Sequence, residues 1–130
     1  MENERLIRGA EKLKEVCGRD GERVIASMEE IAPDIAKYIQ EFVFGDIFFR
    51  GGLSLQEREM ITITSLLTAG ACEPQLAVHI NGSLNVGLSP EKIVETFIQC
   101  IPYTGYPRVL NAINVAKKVF AERNIKTSSR

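Results

Sequence analysis

His79 is the only histidine in the chain, and histidine alone among side chains titrates near neutral pH without help from its surroundings. Gln75, His79 and Ser83 recur at i, i+4 and i+8, which lays them along one strip of a helix. Leu76, Ile80 and Leu84 form an apolar strip beside it. A helix that needs one dry face has no structural use for the polar line unless that line borders water or a site. His79 is therefore a candidate acid or base, although a lone histidine is more commonly just hydrogen-bonded or half-exposed. Cys72 lies just ahead of the same segment. A thiol near a helix N-terminus feels the positive end of the dipole, which favours the thiolate. That makes Cys72 a candidate nucleophile or redox group, against the commoner reading of a small residue at a tight turn. A helix reaching back to Cys72 would put its sulfur about 10 Å along the axis from His79, sharing a face but no hydrogen bond.

Charged residues upstream offer partners. Glu57, Arg58 and Glu59 open another helical segment. Glu57 is accounted for by capping, whereas Arg58 and Glu59 are not, and each either faces the His79 helix or is a surface charge. Arg50, beside Gly51 and Gly52, has the fork geometry that clamps a carboxylate, though a lone exposed arginine is commoner. Tyr103 and Tyr106 flank Gly105 ahead of Pro107, a fixed turn carrying two rings that also serves to open the last helix. No phosphate loop, metal-ligand cluster or Ser-His-Asp set is present, so no cofactor or metal is expected.

The elements that must position these residues follow from apolar spacing and from Gly and Pro punctuation. Leu6, Ala10, Leu13 and Cys17 mark a first helix that Gly18 ends. Val24, Ile25, Met28 and Ile31 mark a second, stopped before Pro33, and Ile35, Tyr38, Ile39 and Phe42 continue to Gly45. The stretch Ile47 to Phe49 is open to strand or helical turn. Ser54 with Glu57 forms a capping box ahead of Met60, Ile61, Thr64, Leu66 and Leu67, and Gly70 closes that helix. Pro74 suits the first turn of the next, which ends at Gly87. Ser89 and Pro90 open a helix with Ile93, Val94, Phe97 and Ile101 inside, and Pro102 to Pro107 form a break. Val109, Leu110, Ile113, Ala116, Val119 and Phe120 mark the last helix, and a frayed tail is expected from Asn124. The prediction is an all-α bundle of six to seven helices in one domain spanning residues 1–130.

Composition narrows the function classes. With 130 residues, 45% of them hydrophobic, the chain can bury the core of one globular domain. A net charge of −1 supplies no basic field for a phosphate backbone, which argues against nucleic acid. No stretch approaches the roughly 20 apolar residues of a membrane span. Glu2, Asn3, Glu4 and Arg5 do not read as a signal peptide. Three widely separated cysteines, Cys17, Cys72 and Cys100, do not make a disulfide framework. The expected location is a reducing cytoplasm, and the expected partner a small molecule.

One ordered set of motifs remains. Phe44-Gly45-Asp46-Ile47 leads to Arg50-Gly51-Gly52-Leu53-Ser54 and Glu57-Arg58-Glu59-Met60. Glu73-Pro74-Gln75-Leu76, His79-Ile80-Asn81-Gly82 and Leu84-Asn85-Val86-Gly87-Leu88 follow, then Glu95, Gln99 and Tyr103-Thr104-Gly105-Tyr106-Pro107. Across about residues 42–120 this order and spacing resembles the carboxymuconolactone decarboxylase family, of the alkylhydroperoxidase D-like superfamily. The resemblance implies an all-helical subunit that forms homo-oligomers, hexamers or trimers. It implies one of two chemistries: decarboxylation of 4-carboxymuconolactone to the enol-lactone of 3-oxoadipate in aromatic breakdown, or peroxide reduction by a Cys-x-x-Cys pair placed four residues before a histidine. Here Cys72 holds the first cysteine position and Gln75 stands where the second belongs, so no local disulfide can form. The decarboxylase branch is expected, with His79 and Glu59 at the centre and Arg50, Arg58, Gln75 and Tyr103 as candidate substrate-binding residues. The alternatives are a thiol-dependent peroxidase using Cys72 and a non-catalytic oligomeric member.

Overall fold

The computed structural model describes residues 3–126; Glu2 and the end of the polar tail, residues 127–130, lie outside them. The described residues are all-α, with six α-helices, one π-helical segment and no strand. The chain divides into two compact units, Met1–Leu55 and Gln56–Arg130.

In the first unit, α1 (Glu4–Glu29) starts at Asn3, whose side-chain oxygen accepts the Leu6 N–H at 3.1 Å. The Asn3 amide also donates to the buried Glu41 at 2.7 Å. Gly18 interrupts α1 with φ 55° and ψ −137°, a conformation that favours glycine. The two expected N-terminal helices are thus halves of one kinked element. α2 (Pro33–Tyr38) passes directly into the π-helical segment Ile39–Ile47. The bonding there reaches back five residues, as in Phe48 N–H to Val43 O at 2.9 Å, so the ambiguous Ile47–Phe49 stretch is a helix end. α1 packs against this segment where Gly9 and Gly45 let the two backbones touch. Leu13, Val16, Ile25, Phe44 and Phe48 are buried, and the Phe44 and Phe48 rings stack with centroids 4.9 Å apart. Ile35, Tyr38 and Phe42, three of the apolar residues whose spacing marks this stretch as helical, are exposed, Phe42 by 56%.

Two arginines hold Asp46 at the surface of this unit. Arg5 Nη2 donates to Asp46 Oδ2 at 2.7 Å and its Nε to Oδ1 at 3.1 Å. Arg8 donates to Oδ1 at 3.1 Å and to the Gly45 carbonyl at 2.7 Å. The Arg5 hydrogen bonds keep the Asp46 carboxyl below its ordinary 3.8. A carboxyl depressed on folding contributes stability above its ordinary pKa and loses it as pH falls through the depressed value. Asp46→Asn is therefore expected to be less stable than wild type at pH 7, with the gap closing as pH drops below that 3.8. Because the pair is exposed, added salt should also shrink the gap. Paired urea titrations at neutral and acid pH check both.

In the second unit, α3 (Leu55–Ala69) begins one residue after Ser54, where the capping box places it. α4 (Glu73–Asn85) carries Pro74 in its first turn. α5 (Pro90–Thr104) is capped by Ser89, whose hydroxyl accepts the Lys92 N–H at 3.1 Å. α6 (Tyr106–Glu122) closes the unit. One buried cluster unites the four helices through Ile63 and Leu67, Leu76 and Ile80, Ile93 and Phe97, and Val109 to Phe120. One expectation is corrected. The break at Pro102–Pro107 shrinks to Gly105 alone (φ 90°, ψ 161°), and α5 continues through Pro102 to Thr104. Proline withdraws only the N–H that would bond the Ile98 carbonyl, and Ile98 lies on the exposed side of the helix. Ile61 and Leu110, among the apolar residues that mark α3 and α6, are exposed, Ile61 by 53%. No described helix is long and apolar enough to cross a membrane.

Candidate active site

The centre of the site comes from α3 and α4. On α3, Glu59, Ile63 and Leu67 recur at i, i+4 and i+8 and are all buried, so a carboxylate sits in register with the core stripe. Glu59 is 0% exposed. A buried carboxylate without a partner is strongly unfavourable. Its partner is His79 on α4, whose Nδ1 lies 3.1 Å from both Glu59 oxygens.

This geometry decides how the ring is used. An ionised carboxylate only accepts, so beside ionised Glu59 the proton of a neutral His79 sits on Nδ1 and Nε2 is left for chemistry. The His79 side chain is 17% exposed, enough to meet a small molecule while its other edge is held inside. Ser83, one turn on, is fully buried and donates its hydroxyl proton to the His79 carbonyl at 2.7 Å. The polar strip read from the sequence is thus graded, with Gln75 exposed, His79 half-buried and Ser83 buried. Among these side chains, the protein can hold a proton at Nε2 and stabilise the imidazolium through Glu59. Among the described residues no group of His, Cys, Asp and Glu is arranged to hold a metal ion.

Arg58 is half-buried, next to Glu59 in α3, and Gln75 stands exposed one turn before His79. Arg50 is an exposed residue of the first unit. Tyr103 is 82% exposed at the end of α5. Cys72 directly precedes α4, as expected, and its thiol donates to the Gly70 carbonyl at 3.0 Å. It lines a cavity of about 50 Å³ with Gly70, Glu73, Arg108 and Asn111, which has room for a few waters and none for a lactone ring. The motif residues Glu95 and Gln99 border a different hollow, an open cleft of about 700 Å³ between α3 and α5 that His79 does not line. None of Cys17, Cys72 and Cys100 forms a disulfide.

The sequence reading placed Ser83 on the polar strip but not its bond to the His79 carbonyl, and it missed the tie between Asn81 and Arg123. Ser83 carries a signal, since Leu76, Ile80 and Ser83 occupy one buried stripe at i, i+4 and i+7. Arg123 lies 42 residues from Asn81 and carries none.

Comparison with known proteins adds to this geometry. The chain is 28% identical over 125 residues to a 4-carboxymuconolactone decarboxylase of Acinetobacter baylyi, covering 95% of this chain and 92% of that one. It is 33% identical over 99 residues to an uncharacterised 15.0 kDa protein of Paracoccus denitrificans, covering 75% and 74%. A nitrosuccinic acid decarboxylase of Metarhizium robertsii is 28% identical over 80 residues, covering 62% and 55%. The family model of the carboxymuconolactone decarboxylases matches residues 33–118, a span that includes Glu59, Cys72 and His79, and the chain belongs to that family.

Proposed function

We propose that the protein is a cofactor-free decarboxylase of a small carboxylated lactone, of the 4-carboxymuconolactone type. The observation that carries this reading is the fully buried Glu59 carboxylate spanning His79 Nδ1 at 3.1 Å, which leaves Nε2 as the atom that takes up and delivers a proton. Two relatives named as decarboxylases support it.

In this reading the bond between the carboxylate carbon and the ring breaks, and carbon dioxide departs. The electron pair spreads into the lactone carbonyl as a dienolate. The Nε2–H of protonated His79 then delivers its proton to carbon, and the neutral ring regains one from water. Glu59 keeps the Nδ1 proton in place and stabilises the imidazolium before transfer. Arg58 holds a substrate carboxylate, and Gln75 or Tyr103 donates toward the lactone oxygen, where charge develops. The working form is a homo-oligomer, hexamer or trimer, in a reducing cytoplasm. Its support is the exposure of Phe42, Tyr103, Tyr106 and Leu110 in a single chain.

The test is ultraviolet-monitored turnover of 4-carboxymuconolactone by the wild-type protein. Conversion to the enol-lactone with release of one carbon dioxide is the expected result. A folded protein that leaves this lactone intact would overturn the substrate assignment.

A further inference from the structure

Arg123 ends α6, and its Nη1 donates to Asn85 Oδ1 at 3.1 Å and to Asn81 Oδ1 at 3.0 Å, and approaches the Asn81 carbonyl at 3.5 Å. The Asn81 amide then donates to the Ala77 carbonyl at 3.1 Å. A single guanidinium nitrogen thus fixes Asn81 on α4, and Asn81 fixes the turn in which His79 lies. At about 100° of rotation per residue, Asn81 stands roughly 200° around the helix from His79. One flank of α4 is tied to Glu59 on α3, the other to the residue that ends α6. Leu76 and Ile80 face the buried cluster between these flanks. The hydrogen bonds on the two flanks oppose a roll of α4 about its own axis. A roll is what would carry Nδ1 off the Glu59 oxygens. Arg123 lies beyond the 33–118 span of the family match, so membership of the family does not account for it.

We propose that Arg123, acting through Asn81 and Asn85, is a positioning residue that sets the roll of α4 and thereby the alignment of His79 on Glu59. The inference deepens the decarboxylase reading, because a roll error displaces Nε2 from the reacting carbon.

The experiment compares wild type, Arg123→Ala and Arg123→Lys by proton NMR of the ring N–H and by steady-state kinetics on 4-carboxymuconolactone. His79 is the only histidine, so its Nδ1–H resonance needs no assignment. In Arg123→Ala that proton is expected to exchange with water about tenfold faster, and kcat to fall by about the same factor with KM little changed, as for a misplaced group remote from the chemistry. Lysine keeps three N–H donors on one nitrogen, so Arg123→Lys should recover most of both losses. An unchanged ring proton in Arg123→Ala would overturn the proposal, as would a fall in kcat that merely follows lost thermal stability. If the wild type does not turn over the lactone, the substrate assignment fails, and the ring-proton comparison still decides the positioning role.

Discussion

His79→Gln is expected to lower kcat/KM for decarboxylation by about 10²- to 10⁴-fold, the usual contribution of a positioned proton donor, while the protein stays folded. Glutamine is chosen before alanine for a reason set by burial. Glu59 is 0% exposed, and both of its oxygens lie 3.1 Å from His79 Nδ1. Alanine at 79 would strand that carboxylate, at a cost of about 1–3 kcal/mol or more. A glutamine amide can still donate to it, yet has no proton to transfer at neutral pH. His79→Ala should therefore match His79→Gln in lost activity and exceed it in lost stability. Kinetics beside urea denaturation of the two variants separates the terms. Retained turnover in His79→Gln would remove His79 from the mechanism.

Glu59→Gln makes the complementary case. The substituted amide either accepts from Nδ1–H, as the carboxylate does, or turns over and donates to Nδ1. The second arrangement moves the ring proton to Nε2 in the neutral form. Either way the imidazolium loses its counter-charge in a buried setting, so kcat should drop, while removing a buried charge leaves folding intact or improved.

How much of this could be read from residue types depended on whether the signal was local. Helix starts at Ser54 and Ser89 and stops at Gly70 and Gly87 are short-range, and they fall where the turn chemistry puts them. Pro102 misled because a proline excludes one hydrogen bond, not a helix, when the carbonyl it frees is on an exposed flank. The π-helical segment was hidden because its i to i+5 bonding shifts the apolar period gradually. In the site, Glu59 was legible as a candidate, and its burial was implicit in its register with Ile63 and Leu67. The Asn81–Arg123 tie depends on a tertiary contact, which no local pattern encodes.

The largest loss of stability is expected from Gly9→Ala. α1 meets the π-helical segment so closely that a β-carbon at Gly9 would overlap the backbone carbonyl oxygen of Gln40. A β-carbon at Gly45 would reach the Arg5 carbonyl oxygen at 2.5 Å and that of Gln40 at 3.0 Å. Both obstacles are main chain, so no rotamer change relieves them, and the helices must move apart. Separation would loosen the packing around Leu13, Phe44 and Phe48 and lengthen the Arg8 bond to the Gly45 carbonyl, now 2.7 Å. Overpacking of this kind costs about 3 kcal/mol or more when the backbone has to yield, which outweighs the roughly 1 kcal/mol gained from alanine's helix preference. Gly51→Ala supplies the control, because a β-carbon there meets nothing within 4 Å, and its effect should stay within about 1 kcal/mol. Far-ultraviolet circular dichroism during urea titration reads both variants. Equal midpoints for Gly9→Ala and wild type would mean that α1 does not cross the π-helical segment at Gly9.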